Sequence, residues 1–203
     1  GVVKITRYSG SGVLLTYQDK QLGMGTAYVD PDFFDMFSFP IVKGDTENPI
    51  TSESSVAMTE QAAKRIFGDE NPIGQTVTIL RDEVEVPFNV TAIIEDFPDT
   101  SSIGFDIVLN FKSQNEHAYA RTVGRWDMEN HEVYMQLSEG LKPEQFEKST
   151  ADFTQLHYKS EIDNAKRDGF EPNVDGLYRQ IKLLPLADVR FANFNQGIVS
   201  VNR

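Results

Sequence analysis

The stretch YVDPDFFDMFSFPIVKGD, from Tyr28 to Asp45, places four phenylalanines within seven positions, directly after an Asp-Pro pair. Three interpretations are open at first: an aromatic ligand pocket, a membrane-touching wedge, or a helix start that packs into a core. Asp30 suits the N-cap of a helix because its carboxylate can accept an orphan backbone N–H, and Pro31 suits the first helical position. These two residues favour the helix start.

The aromatic residues of this stretch follow a helical spacing. Phe33, Phe34 and Phe37 would share one face of a short helix, and Gly44 would close the turn that follows it. The pattern predicts a helix held in place by its own aromatic side chains, with packing rather than ligand binding as their role.

A second helix is predicted downstream, in SSVAMTEQAAKRIFGDENPIGQTVTI. Thr59 is its expected N-cap, and Glu60 lies in the first turn, where a negative charge is favourable. Gly68 stands where a left-handed residue would end the helix. The predicted apolar stripe consists of Ala62, Ala63, Ile66 and Phe67.

Upstream of the opening stretch, two β-rich runs, VVKITRY and GVLLTYQ, flank the residues SGSG. Because glycine and serine turn easily, this arrangement predicts an N-terminal hairpin with its turn at SGSG. A second turn is predicted at KQLGMG, before the strand TAYV.

Alternating apolar residues predict strands after the second helix, first in TVTIL and then in the long run VEVPFNVTAIIEDF. Pro87 indicates an edge or a bulge near the start of the long run. The side chains predicted to share one face of that run are Phe88, Val90, Ala92 and Ile94. The same reasoning places on one face of the next strand, FDIVLNF, the residues Phe105, Ile107, Leu109 and Phe111.

The last third of the chain is predicted to hold an irregular region at Lys112–Asn130, a strand at EVYMQL and a helix at KPEQFEKSTADFTQLHYKSEI. That helix begins with Pro143 and carries Phe146, Phe153 and Leu156 along one side. A loop at AKRDGFEPNVDG and a final strand that breaks at Pro185 complete the chain. The order of elements is that of an α+β protein with mixed sheets.

Charge and composition exclude several classes of function. The formal charge of −12 over 203 residues argues against binding to nucleic acid or to an anionic membrane surface. The absence of cysteine excludes disulfides and thiolate metal sites. No apolar run approaches the roughly 20 residues that span a bilayer. The leading Gly1, without a start methionine, suggests a piece of a larger protein.

No motif for catalysis is visible. His131 and Glu132 are neighbours on a strand and point to opposite faces, His157 has Glu161 four residues further along a helix, and His117 stands alone. The sequence lacks a nucleophile elbow, a phosphate loop and the central glycine of a calcium loop. The prediction is therefore no catalytic residue, no cofactor and no metal site, although a carboxylate pair among the 31 acidic residues stays open.

Three motifs in this order resemble one family: the stretch Tyr28–Asp45, then SVAMTEQAAKRIFGDENPIGQTVTI, then FNVTAIIEDFP. Together they are similar to the extracytoplasmic core domain of MacB-like (FtsX-like) ABC transporter permeases, in the version common in Bacteroidetes. The similarity is strongest from Tyr28 to about Ser102.

The resemblance implies a two-lobed α+β domain on the periplasmic side of the inner membrane, between the first and second membrane helices of a permease. A porter-like βαβ lobe would comprise residues 1–54 and 99–203, and a smaller inserted lobe residues 55–98. Because the family carries more chain before this point, the first strand-helix element of the porter lobe is expected to be missing. The aromatics of the opening stretch would then be packing residues at a junction between lobes.

The resemblance also implies partners and a function. The partners would be a cognate cytoplasmic ABC ATPase, a second permease copy or paralogue, and an envelope adaptor or hydrolase. The domain would couple ATP hydrolysis to efflux or to other work in the envelope without being an enzyme. Two alternatives remain: a regulatory platform that controls an envelope protein such as a cell-wall hydrolase, and an envelope hydrolase.

Overall fold

A computed structural model describes residues 1–50, 52–98, 101, 103–114, 124–125, 130–191 and 199–200 of the chain. These residues belong to two compact units. The sheet unit comprises Val2–Val123 and Asn130–Gln136, and the helical unit comprises Leu137–Arg203 with Gly1 and Gly124–Glu129. The predicted lobe boundary at residues 55–98 stays a prediction.

Eight strands form the main sheet. They are β1 Val2–Tyr17, β2 Lys20–Val29, β3 Ile41–Gly44, β4 Ser55–Thr59, β5 Thr76–Arg81, β6 Val84–Ile94, β7 Ile107–Asn110 and β8 Glu132–Leu137. The pairings run β2-β7-β4-β6-β5-β1, and β1 also pairs with β2, so these six strands form a closed circuit. The pairs β2–β7 and β4–β6 are parallel, which confirms the predicted α+β class with a mixed sheet.

The N-terminal hairpin turns later than predicted. Strand β1 runs without interruption through SGSG, where Ser9 pairs with Tyr28 and Gly12 with Gly25. The chain turns instead at Gln18–Asp19, with Gln18 at φ 51°. The predictions of turns at SGSG and KQLGMG were wrong, because glycine and serine permit a turn but the ladder from Tyr8 to Tyr17 satisfies their backbone groups in a strand.

Strand β6 contains a β-bulge, which changes the face of the sheet on which the side chains after it lie. Val56 of β4 pairs with Val90 and Ala57 pairs with Ala92, so Thr91 is the extra residue. Its hydroxyl donates a hydrogen bond to the carbonyl oxygen of Val56, 3.1 Å away. The prediction of one shared face was therefore wrong: Phe88 and Val90 lie in one core cluster, but Ala92 and Ile94 lie in the other.

The first core cluster is closed by helix α2, Glu60–Phe67, whose four predicted stripe residues are all buried. The hydroxyl of Thr59 accepts a hydrogen bond from the N–H of Ala62 at 3.2 Å, and Gly68 has φ 64°, so the predicted beginning and end of this helix are confirmed. Strand β7 supplies Ile107 and Leu109 to this cluster as predicted, and Phe111, directly after the strand, also lies there, whereas Phe105 lies in the second cluster.

The second core cluster is built around Phe33 of helix α1, Phe33–Met36. Phe33 is fully buried, and its ring centroid lies 4.8 Å from that of Phe37 and 5.3 Å from that of Phe39. The aromatic residues of the opening stretch thus pack against one another, in agreement with the helix-start interpretation. Asp30 is not the helix cap: its backbone carbonyl accepts the N–H of Phe33, while its carboxylate binds Arg7.

Among the described residues of the helical unit, three short α-helices replace the one that was predicted: α3 Pro143–Ser149, α4 Ala151–His157 and α5 Lys159–Arg167. The expected apolar side was wrong, since Phe153 is 37% and Leu156 72% exposed. The buried side chains of α4 and α5 and of the residue between them are Thr154, Tyr158 and Ile162, which repeat every four residues.

The predicted final strand is reduced to β9, Gln180–Ile181, which pairs with β10, Val199–Ser200. A 3-10 helix, Leu186–Phe191, follows Pro185. Most of the irregular region predicted at Lys112–Asn130 falls outside the described residues. Within the ranges that are described, no helix is long and apolar enough for a membrane crossing.

Candidate functional site

A charged pair held by three hydrogen bonds joins β1 to the end of β2 in the sheet unit. Arg7 donates through its backbone N and its Nε to Oδ2 of Asp30, at 2.9 and 2.8 Å, and through Nη2 to Oδ1 at 2.6 Å. The guanidinium carbon lies 3.9 Å from the ring centroid of Phe111. Both side chains are about one-quarter exposed, at 30% and 22%, so the pair is partly shielded from water.

Burial and the ion pair act in opposite directions on Asp30. Burial disfavours its charged form, but the hydrogen bonds and the positive charge of Arg7 outweigh burial, and the pKa of Asp30 lies below its ordinary value. Asp30 is thus a carboxylate that stays ionised and occupied by Arg7. It serves as a clamp between strands and has no proton to exchange in the neutral range.

The three histidines do not form a metal site or a catalytic pair within the described residues. His131 contacts the side-chain oxygen of Asn130 through Nδ1 at 2.6 Å, and its ring lies edge-on to Phe111. Burial and the charge of Arg7 lower the pKa of His131. The ring of His157 packs against Phe153, and His117 lies outside the described residues.

Across the described part of the chain, no group of three His, Asp or Glu side chains could hold a metal ion. Glu132, the predicted poor partner for His131, accepts a hydrogen bond from the Tyr134 hydroxyl instead. Burial, together with Glu132, raises the pKa of Tyr134. These contacts are those of a packed sheet.

Two open depressions lie along the exposed face of α2, with volumes of about 310 and 540 Å³. The first separates α2 from strand β3 and has Val42, Ala63 and Ile93 among its apolar lining residues. The second is lined by Glu60, Gln61, Lys64, Arg65 and Asp96.

Several charged residues of these depressions have partners within the sheet unit. Lys64 pairs with Asp69 and Arg65 with Asp106, while the carboxylate of Asp96 accepts the N–H of Gln61. On this surface, positively and negatively charged side chains therefore lie next to one another around shallow depressions that have apolar lining residues. Such a surface suits contact with another protein better than it suits chemistry on a substrate.

Sequence reasoning missed the Arg7–Asp30 clamp and strands β3 and β4. The residues of β4, Ser55–Thr59, are all buried, and they lie directly before the predicted helix that Thr59 caps. The sequence did carry a signal for this strand, because the apolar residues Val56, Ala57 and Met58 directly precede the N-cap Thr59. The clamp carried no local signal, because its two residues are 23 positions apart.

The matching family model is the MacB-like periplasmic core domain, which aligns with residues 2–153. The match includes all eight strands of the main sheet and the first of the three helices described in the helical unit. No curated protein sequence is similar enough to this chain to count as a relative.

Solved structures share the fold at low sequence identity. A domain of a putative permease from Porphyromonas gingivalis has a TM-score of 0.64 and 22% identity, over 77% of this chain and 65% of that domain. The periplasmic region of MacB from Actinobacillus actinomycetemcomitans has a TM-score of 0.53 and 20% identity, over 77% of this chain and 68% of that region.

A third structure comes from Gram-positive bacteria. It is the extracellular domain of the noncanonic ABC-type transporter YknZ, with a TM-score of 0.54 and 11% identity over 78% of each chain. The chain spans about two-thirds of the length of the first two structures. At these identities the structures support the fold alone.

Proposed function

Because the chain belongs to the family of MacB-like periplasmic core domains, we propose that it is the non-catalytic extracytoplasmic module of an ABC transporter permease. The family match over residues 2–153 is the observation that carries this proposal. The module would couple ATP hydrolysis in the cytoplasm to efflux, to lipoprotein transfer or to other work in the envelope.

The construction of the sheet unit supports a mechanical role. Six strands close on themselves, helix α2 covers one core cluster, and the Arg7–Asp30 pair clamps β1 to the end of β2. A sheet unit braced in this way would move as a rigid body with the membrane helices to which it is joined. Such motion needs no acid-base residues. The charged surface along α2 is the candidate contact surface for a partner.

The proposed partners are a cytoplasmic ABC ATPase and a second permease copy or paralogue. ATP binding would change the packing of the membrane helices, and each extracytoplasmic domain would follow the helices to which it is joined. The parent protein is proposed to lie in the inner membrane, with this domain on the periplasmic side.

Spin labelling of the full permease with its ATPase tests this coupling. The chain has no cysteine, so Gln61→Cys, on the exposed face of α2, provides one label in each copy of the domain. We expect the distance between the two labels to differ between the nucleotide-free and ATP-trapped states, and not to differ when the ATPase cannot bind ATP. The same distance in all states would contradict coupling.

The second candidate, a regulatory platform for an envelope protein, is favoured by the formal charge of −12 and by the open surface along α2. It predicts that an envelope protein co-purifies with the intact permease and is lost with Lys64→Glu. Recovery of only the transporter subunits would count against this candidate.

A further inference from the structure

The segment Tyr178–Leu183 of the helical unit, here called the strap, crosses helices α3–α5 and contains β9. We propose that the strap is a detachable cover, latched onto these helices by the carboxylates of Glu147 and Glu161 and able to open while the helices stay folded. The proposal concerns the helical unit by itself and is independent of the transport function.

The first latch is Glu147 of α3. Its side chain is buried, and its Oε1 accepts a hydrogen bond from the backbone N–H of Leu183 at 2.8 Å. Its Oε2 lies 3.7 Å from Nζ of Lys182. A buried carboxylate needs such donors, and in this helix they come from the strap. The end of the strap is thus held by a charge-assisted hydrogen bond.

The second latch is Glu161 of α5, which forms an ion pair with Arg179 of the strap. The guanidinium carbon of Arg179 also lies 4.1 Å from the ring centroid of Tyr158, over the aromatic face. Nζ of Lys166, also on α5, lies 5.3 Å from the ring centroid of Tyr178. The beginning of the strap is therefore held by charge and by cation–π contacts.

Apolar burial contributes little to this attachment. Among the strap residues only Gln180 is buried, and the strap's apolar residues Tyr178, Ile181 and Leu183 are only partly buried. Segments with few buried apolar contacts open at a lower free-energy cost than the surrounding core. Because the strap is held mainly by polar contacts and is weakly packed, it can open while helices α3–α5 stay folded.

The strap contacts a narrow stripe of the helices. β9 contacts α4, and the buried residues of α4 and α5 next to it are Thr154, Tyr158 and Ile162. Thr154 belongs to α4, which already exposes Phe153 and Leu156. Opening of the strap would uncover the ring of Tyr158 and enlarge this apolar surface, so the strap would control access to it.

Hydrogen–deuterium exchange of the full chain tests the proposal with Glu147→Gln and Glu161→Gln. Each variant removes one charge and keeps a side chain of the same size. Matched controls are Glu144→Gln on α3 and Asp163→Asn on α5, which are exposed on the same helices. Amides of β5 report whether the chain is folded.

The expected result is that strap amides, including that of Leu183, exchange about tenfold faster in the two latch variants, whereas amides of Tyr158 and Ile162 change less than about twofold. The control variants should match the wild type throughout. Equal acceleration of strap and helix amides would overturn the proposal, because the strap would then not open by itself. Unchanged strap exchange would also overturn it, because the carboxylates would not be latches.

Discussion

Arg7 and Asp30 form a three-point contact across 23 residues of sequence, with donor–acceptor distances of 2.6–2.9 Å. The contact lies where β2 ends and the turn into α1 begins, and the N–H of Phe33 bonds to the carbonyl oxygen of Asp30 at that turn. A single aspartate thus uses its side chain to hold β1 and its backbone to start α1. Both contacts lie at the entry to the aromatic cluster around Phe33.

Asp30→Asn is expected to destabilise the sheet unit by about 2 kcal/mol, because the guanidinium of Arg7 would stay partly buried without its carboxylate. Urea unfolding followed by circular dichroism measures this loss. The exposed neighbour Asp32 provides the control, since Asp32→Asn should change the free energy of unfolding by less than about 0.5 kcal/mol. Equal effects of the two substitutions would contradict the clamp.

The effect of Asp30→Asn should depend on pH. The pKa of Asp30 is lower in the folded state than its ordinary value of 3.8, so its stabilising contribution is complete above that value. The contribution is lost as the pH falls through the folded-state pKa. The difference in unfolding free energy between wild type and variant should therefore shrink at strongly acidic pH.

His131 is expected to make the sheet unit less stable as the pH falls below the ordinary histidine value of 6.5. Burial and Arg7 lower the pKa of this histidine in the folded state, so the unfolded state binds the proton first and protonation favours unfolding. His131→Gln should reduce the fall in the urea midpoint between pH 7.5 and pH 5.5. Because the charge of Asp30 partly counteracts that of Arg7, Asp30→Asn should make the fall steeper. A midpoint that falls equally in His131→Gln and wild type would exclude this role.

Local patterns of sequence predicted the elements whose causes are local. The boundaries of α2 follow from Thr59 and Gly68, a cap and a left-handed residue that lie next to the elements they terminate. The aromatic packing of Phe33 with Phe37 likewise follows from spacing within one short segment. In these cases neighbouring residues determine the structure, so periodicity and capping rules were sufficient.

Long-range pairing determined what the sequence did not predict. The SGSG segment forms part of a strand because it pairs with β2. Thr91 forms a β-bulge because the register between β4 and β6 shifts by one residue at this point. The face of α4 was misassigned because Phe153 and Leu156 match the periodicity as well as the buried Thr154 does. The Arg7–Asp30 clamp belongs to the same class, since no rule of local spacing joins residues so far apart.

Gly44 is expected to be intolerant of alanine for two reasons. Its φ is 93°, and a Cβ at this position would overlap the carbonyl oxygen of Thr91 and lie 2.9 Å from Cα of Ala92. Gly44→Ala should cost about 3 kcal/mol, because β3 would have to move away from the bulge of β6. Urea unfolding and the exchange of β3 amides measure the effect.

Gly68 supplies the control for this prediction. It also has a positive φ, of 64°, but a Cβ there would meet open space. Gly68→Ala should therefore cost only the strain of the backbone conformation (φ 64°, ψ −116°), about 2 kcal/mol and less than Gly44→Ala. Equal costs at the two glycines would mean that the close approach of β3 to Thr91 contributes nothing.

The N-terminus of α2 has two side-chain caps, and we expect them to contribute unequally. The hydroxyl of Thr59 accepts the N–H of Ala62 at 3.2 Å, and the carboxylate of Asp96 accepts the N–H of Gln61 at 2.9 Å. Thr59 is buried whereas Asp96 is exposed, so water can replace the cap of Asp96 but not that of Thr59. Thr59→Ala should reduce the free energy of unfolding by about 1.5 kcal/mol and Asp96→Ala by about 0.5 kcal/mol. Thr59→Ser keeps the hydroxyl and should recover more than half of the loss. If serine were as destabilising as alanine at this position, the buried methyl group rather than the cap would account for the effect of Thr59.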